Sequence, residues 1–306
     1  QMPDWNPAEM IGRAPRALAY SLYEMLITDD AWRIARKKMG YSEPLKQPLM
    51  ISLSGQPFID TRLSFHSYLP SNLDSEICQK LVNVWLKKLK DNPQLHDKIE
   101  FDIAITTYSF DIDEKIKRLI GDRLTKKEKE IIKKSYFDLT FKLLSNDHPG
   151  SIKQASEKLN LLVEKQSFYD FKSKNLDFHQ LNSIIDDCIN LGTIPFSILA
   201  RHGFIAKTLM LSLVSRGLLS QKECDLFFSS ISTIATELVN DMHFLQSKKL
   251  DIDSFMEEYG HLRPGTYDIT SLRYDQMSEF GQMDFQMFEK KDDQKFELTK
   301  QKEKRI

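Results

Sequence analysis

The densest run of reactive side chains is Tyr259–Tyr274, YGHLRPGTYDITSLRY, where sixteen positions carry His261, Arg263, Asp268 and Arg273 around Pro264 and Gly265. A Pro-Gly step forces a turn, so these groups leave a loop instead of lying along one helix face. Two guanidinium groups with an imidazole and a carboxylate suit an anionic or zwitterionic ligand, because guanidinium grips carboxylate or phosphoryl oxygens in a fork. The competing reading is a structural loop, tied to neighbouring helices by Arg273 and Asp268. A second candidate is Asp60 with Arg62, which with Ser64 would share one strand face and have His66 two positions on. An amino acid offers a carboxylate to the Arg and an ammonium to the Asp; the alternative is a surface ion pair, worth about 0–1 kcal/mol. Arg201 and His202 sit in the most apolar stretch of the chain. An unpaired charge buried there would cost several kcal/mol, so a ligand or a structural carboxylate must answer it. Arg13 and Arg16 flank Pro15 near a helix start and could meet phosphate or a neighbouring domain, with Glu9 a weaker candidate. His148 and His179 read as surface residues.

Other chemistry is excluded by spacing. The 11 glycines form neither GxGxxG nor GxxxxGK followed by Ser or Thr, so no recognisable nucleotide loop is present. The seven histidines are each at least 18 residues from the next, which leaves no HExxH or HxxxH metal pair. GxSxG is missing too. With 43 basic and 44 acidic residues the net charge is −1, without the basic excess that nucleic acid or a membrane surface calls for. Hydrophobic residues reach 41%, enough for a real core. The three cysteines, Cys78, Cys188 and Cys224, form no CxxC and read as reduced, buried thiols of a cytoplasmic protein. No signal peptide is evident, and Arg201, His202 and Lys207 interrupt the best membrane candidate, Thr193–Val214.

The elements that must position these groups are mostly helical, and glycine is scarce. Pro15 suits the first turn of a helix through about Ile27, and Thr28 would cap a second one that Gly40 ends. Residues 48–54 and 58–65 read as a hairpin broken at Gly55-Gln56-Pro57, with 101–110 as a possible third strand. Asp74–Leu89 reads as a helix stopped by Asn92-Pro93. From about residue 113 the pattern is helical throughout. Capping boxes stand at Thr125/Glu128 and Ser220/Glu223, Gly217 closes the helix before the second, and Ile231–Leu245 keeps faultless helical spacing. The expected fold is α+β and mostly α-helical, with a small antiparallel sheet near the front and a large helical body. Its divisions fall at 1–112, 113–285 and a charged helical tail, 286–306. The composition of both ends suggests a segment of a larger protein.

The loop resembles the Gly-His-Arg-Gly-Pro-Gly-Glu signature, with a downstream Arg beside Tyr or Trp, of the phosphoenolpyruvate synthase and rifampin phosphotransferase type of dikinase. MPDWNPAEMIGRAPRALAYSLYEMLITDDAW, PLMISLSGQPFIDTRLSFHSYLP and ARHGFIAKTLMLSLVSRG look like the segment after the ATP-grasp domain in a capsule-biosynthesis branch of that family. The likeness covers roughly Met2–Tyr274. It implies an acceptor-binding central module of an ATP-dependent kinase that works through a phosphohistidine on another domain, turning ATP into AMP and phosphate. The implied acceptor is a small polar molecule such as L-glutamine, phosphorylated on its side-chain amide. ATP and Mg2+ are expected for the full-length enzyme and not for this segment. The partners are the ATP-grasp and phosphohistidine domains of the same polypeptide. Under this resemblance Arg263 and Arg273 would contact phosphoryl or carboxylate oxygens, and His261 or Asp268 would remove a proton or orient the amide. Asp60, Arg62, Arg201, His202, Arg273 and Tyr274 would bind substrate, and Arg13 and Arg16 phosphate. The sequence departs from the signature at Leu262, Arg263 and Thr266, where the family has Arg, Gly and an acidic residue. A non-catalytic helical scaffold that docks partner domains is the alternative.

Overall fold

The computed structural model describes residues 6–43, 46–169, 178–263 and 271–277. Among these residues helices dominate and the sheet is one antiparallel pair, the mostly helical α+β fold that the residue pattern led us to expect. The chain divides into two compact units at Ser212/Leu213. The sequence divisions fall instead at 112/113, which one hydrophobic core running from Phe65 to Tyr136 crosses, and at 285/286, outside the described residues.

In the first unit, Asn6 caps the short α1 (Pro7–Met10) through its side-chain oxygen. Helix α2 (Ala17–Tyr23) runs on into a π-turn, Glu24–Thr28, before α3 (Ala31–Lys38). Thr28 therefore ends the π-turn, fully buried, and Asp30 takes the N-cap position expected for Thr28. Strands β1 (Met50–Leu53) and β2 (Gln56–Ile59) pair from Met50–Ile59 to Leu53–Gln56. The two residues between them, Ser54 and Gly55, both have positive φ (51° and 76°), the conformation that tight hairpins demand.

Here the structure corrects the alternation reading of 58–65. The strand stops at Ile59, because the Asp60 carboxylate accepts the N–H groups of Arg62 (2.9 Å) and Leu63 (3.0 Å) and starts α4 (Thr61–His66). N-capping wins over period two, and Leu63, Ser64 and Phe65 are all buried. Nor does 101–110 join a sheet. It begins in a π-turn (Ile99–Ile103) and continues extended, its carbonyls taken by side chains: the Tyr136 hydroxyl donates to Ile105 O (2.6 Å) and the Tyr41 hydroxyl to Thr106 O (2.9 Å). Such bonds satisfy buried backbone without a neighbouring strand.

Helix α5 (Ser75–Asp91) buries Ile77, Leu81 and Trp85 on one stripe and ends at Asn92. It is followed by α6 (Ile112–Leu119), then by α7 (Lys126–Leu143), opened by the Thr125/Glu128 capping box. Then come α8 (Ile152–Gln166), α9 (Phe178–Asp187), a π-turn (Cys188–Thr193) and α10 (Ile194–Ser215). A second core joins Ala35, Met39, Leu139, Ala155, Ile194 and Ile198. The turn before α8 packs backbone against backbone: a Cβ on Gly150 would stand 2.7 Å from Met39 Cα and 3.0 Å from Lys38 O.

The continuous helical stretch Phe178–Ser215 is long and apolar enough to cross a membrane, by length and composition alone. The interruptions noted in the sequence, Arg201 and His202, are nevertheless buried against protein groups. None of the three cysteines is in a disulfide; Cys78 and Cys224 are buried and Cys188, expected to be buried, is half-buried.

The second unit contains α11 (Gln221–Ser229), with its Ser220/Glu223 capping box, α12 (Ile234–Gln246) and α13 (Ile252–Tyr259). Met242, Phe255 and Tyr259 form its core, with Leu238, Leu245 and Tyr274 packed against them. The apolar spacing that begins at Ile231 is covered only from Leu238 on; Ile231 and Ile234 are exposed.

Candidate functional site

Helix α13 delivers the chain into the charged loop through Gly260. A Cβ there would meet Met256 O at 2.3 Å and Asp275 Cβ at 3.0 Å, so the position accepts only glycine without a shift. The flanks of the Pro264–Thr270 segment are joined at their base. Tyr274 N–H donates to Leu262 O (2.8 Å) and Asp275 N–H to Gly260 O (3.1 Å). Arg263 Nε donates to Ser271 O (3.0 Å), closing the flanks with a side chain as well. Arg273 forks onto Asp275, through Nε to Oδ1 at 2.9 Å and through Nη2 to Oδ2. That bond, with Arg263 adding to the field, holds the Asp275 carboxyl below the usual carboxylate range. Arg263 thus serves the loop's own closure, while Arg273 pairs with Asp275 on its own flank instead of tying the loop to a neighbouring helix. Asp268, Pro264 and Gly265 lie outside the described residues. His261 is exposed, while Tyr274 is half-buried and its hydroxyl is pushed up by burial.

The remaining candidates lie in the first unit. Asp60 and Arg62 do not share a strand face, since Asp60 is the cap of α4 and Arg62 reaches out to Asn83 Oδ1 (3.1 Å). Burial, with Arg62 nearby, pushes the His66 imidazole below its ordinary value.

Arg201 projects from α10 into the protein and is 0% exposed. It forms an ion pair with Glu100, turned inward by the π-turn Ile99–Ile103, and its Nη2 donates to Thr106 Oγ1 (2.9 Å). Its guanidinium carbon lies 5.6 Å from the Tyr68 ring centroid and 5.4 Å from that of Phe204. Arg36, also buried, lies 5.7 Å from the same Tyr68 ring. A guanidinium over an aromatic face gains from the ring quadrupole, more so when desolvated. Burial pushes the Tyr41 and Tyr136 hydroxyls up, which keeps both as neutral donors. His202 Nε2 lies 2.8 Å from Gly150 O, and its imidazole is held below the ordinary value by desolvation. Arg201 and His202 therefore have protein partners, the structural carboxylate being Glu100. His148 is half-buried where an exposed residue was expected, its Nδ1 accepting the Gly150 N–H (3.1 Å), and burial lowers its imidazole too. His179 is exposed.

Arg13 has a different setting. With Asn6, Gln56, Pro57, Phe58 and His96 it lines an open cleft of about 400 Å³ between α1, β2 and the segment after α5. Asn6 is only 7% exposed; its Oδ1 accepts the Ala8 N–H at 3.2 Å, and its Nδ2 has no acceptor. A buried donor left so costs about 1–3 kcal/mol. Arg16 is exposed at the N-cap of α2, makes no side-chain cap, and does not line this cleft. Glu9 is exposed.

The expected site residues therefore separate into the loop of the second unit and three places in the first. Sequence reasoning missed Asp275, Glu100, Arg36, Asn6 and His96. Arg36 was findable, since Trp32, Arg36 and Met39 follow i, i+4, i+7 on the buried face of α3. Glu100 gave no such signal, because a π-turn breaks the helical period that would have marked it as inward. Among the described residues no three of His, Cys, Asp and Glu converge as metal ligands. No protein-family model, curated protein or solved structure matches the chain.

Proposed function

We propose that the chain is the acceptor-binding module of an ATP-dependent phosphotransferase, working with an ATP-grasp domain and a phosphohistidine domain, with L-glutamine as acceptor. Overall, ATP, water and the acceptor give AMP, phosphate and the phosphorylated acceptor. At this module the phosphorus–nitrogen bond of phosphohistidine breaks and a bond from phosphorus to the acceptor amide nitrogen forms. The amide proton leaves to a base, for which His261 is the exposed candidate. Such transfer depends on alignment and on positive charge at the moving group. The reading assigns ATP and Mg2+ to the ATP-grasp domain.

The observation that supports this reading most is the base of the loop. A glycine that tolerates no Cβ, backbone bonds across the flanks and the Arg263 bond to Ser271 fix the flank on which His261 stands. A binding loop held at its base presents its groups with little ordering cost. Calorimetric titration with L-glutamine tests it. Saturable heat is expected from the natural sequence and loss of that heat from His261→Ala; absence of heat from the natural sequence refutes the acceptor role.

A second reading, a docking scaffold, draws on an aromatic ladder in the first unit. Tyr108 and Phe137 meet edge-on at 5.1 Å and Phe137 stacks on Phe141 at 6.1 Å, yet Phe110, Phe137 and Phe141 are exposed. Exposed apolar patches of this kind mark interaction surfaces. Chains that take up no glutamine but capture an ATP-grasp or phosphohistidine domain would favour it.

A further inference from the structure

We infer that the cleft beside Arg13 binds a small organic anion, a planar or apolar body carrying one carboxylate or phosphate group. Its charge is one-sided. Arg13 contributes a guanidinium, Gln56 an amide and His96 an imidazole, whereas among the described residues no Asp or Glu lines it. A zwitterionic amino acid would find no carboxylate for its ammonium among the described residues there, so this cleft suits a simple anion better than the acceptor assigned to the loop.

Asn6 points to a ligand independently. Its amide is fixed, because Oδ1 is committed to the Ala8 N–H; Nδ2 is thereby the remaining arm, a buried donor lacking an acceptor on a residue that lines the cleft. An anion oxygen supplies that acceptor. The volume, about 400 Å³, exceeds what a bare phosphate fills and falls in the range of small-molecule sites. Pro57 and the exposed ring of Phe58 provide an apolar wall for the rest of the ligand. Carboxylate and phosphate share the recognition chemistry, since both present paired oxygens to a guanidinium fork.

Phenyl phosphate, benzoate, inorganic phosphate and L-glutamine are the probes, titrated calorimetrically into the whole chain. Phenyl phosphate or benzoate is expected to bind saturably, the tighter of the two naming the head group, and inorganic phosphate at least about tenfold more weakly. Arg13→Gln removes one charge-assisted contact from an exposed position and should weaken the organic anion roughly ten- to hundredfold. Asn6→Asp keeps the capping oxygen and replaces the donor with a negative charge; it should weaken binding by a similar factor. No saturable binding of either organic anion overturns the inference, because an ordered water then suffices for Nδ2. Unchanged affinity in Arg13→Gln, with circular dichroism unchanged, overturns it even where Asn6→Asp fails to fold. Glutamine heat that survives Arg13→Gln separates this cleft from the loop, so either assignment can fail alone.

Discussion

Replacing Glu100 by Gln is the sharpest test of how the first unit is held together. The two side chains of the Glu100–Arg201 pair are 1% and 0% exposed, so neither ion has solvent to fall back on. Glutamine keeps the shape and an acceptor but removes the countercharge, leaving the Arg201 cation with Thr106 and two aromatic rings, near the buried Arg36. Stranding one partner of a buried pair costs about 3–5 kcal/mol. That is a large part of the 5–15 kcal/mol that holds a typical domain together. With a urea m-value of about 3 kcal/mol/M, the midpoint should drop by about 1–1.7 M. Tryptophan fluorescence reads this directly, since Trp32 and Trp85 are both buried in the same unit. The double variant Glu100→Met with Arg201→Met removes both charges and should lose much less than Glu100→Gln, because replacing both ions by apolar groups is often neutral. A midpoint shift below about 0.3 M for Glu100→Gln, or a double variant that is worse than the single one, would refute the desolvated-pair account.

Gly150→Ala should destabilise by about 1–3 kcal/mol, as its Cβ would meet backbone atoms of Met39 and Lys38 that have no rotamer to escape into; an unchanged urea midpoint would contradict this packing. Stability should also fall on mild acidification. His66, His148 and His202 are all held below their ordinary value by burial, so the unfolded chain protonates first and stability present above about pH 6.5 is lost as pH drops through that region. The urea midpoint should be lower at pH 5.5 than at 7.5, with a smaller difference in His202→Asn; a flat profile would count against the buried imidazoles.

How much of this was legible in the sequence depends on the kind of signal. The two capping boxes were legible because they are local: Thr125 with Glu128 and Ser220 with Glu223 each open the helix expected of them, whereas the cap expected at Thr28 falls at Asp30. The hairpin was legible through Gly55. Period two misled at 59–65, where Ile, Leu and Phe alternate with polar residues but Asp60 captures the backbone for a helix. It misled again at 101–110, where residues 103–107 are buried in succession without a partner strand. Of the charged groups, the need of Arg201 for a partner could be deduced from its apolar surroundings. Which carboxylate would answer could not, because Glu100 is 101 residues away along the chain. Asp60 and Arg62 looked like a binding pair only on the assumption of a strand. The loop after Gly260 gave no sign that Arg273 would turn to Asp275.

The three π-turns among the described residues bear on how this chain tolerates changes in length. Each closes its ring one residue later than an α-helix does, and the one between α9 and α10 stores a surplus position within an otherwise continuous helix. In Cys188–Thr193, loss of a single codon can tighten the ring to ordinary helical closure and leave the flanks in phase. The same deletion between Ile194 and Arg201 would swing that guanidinium about 100° around the axis relative to the flank before it, away from its carboxylate. Indels should accordingly be absorbed at the slack turn and rejected a few residues later, a polarity that a deletion scan along Phe178–Ser212 would map.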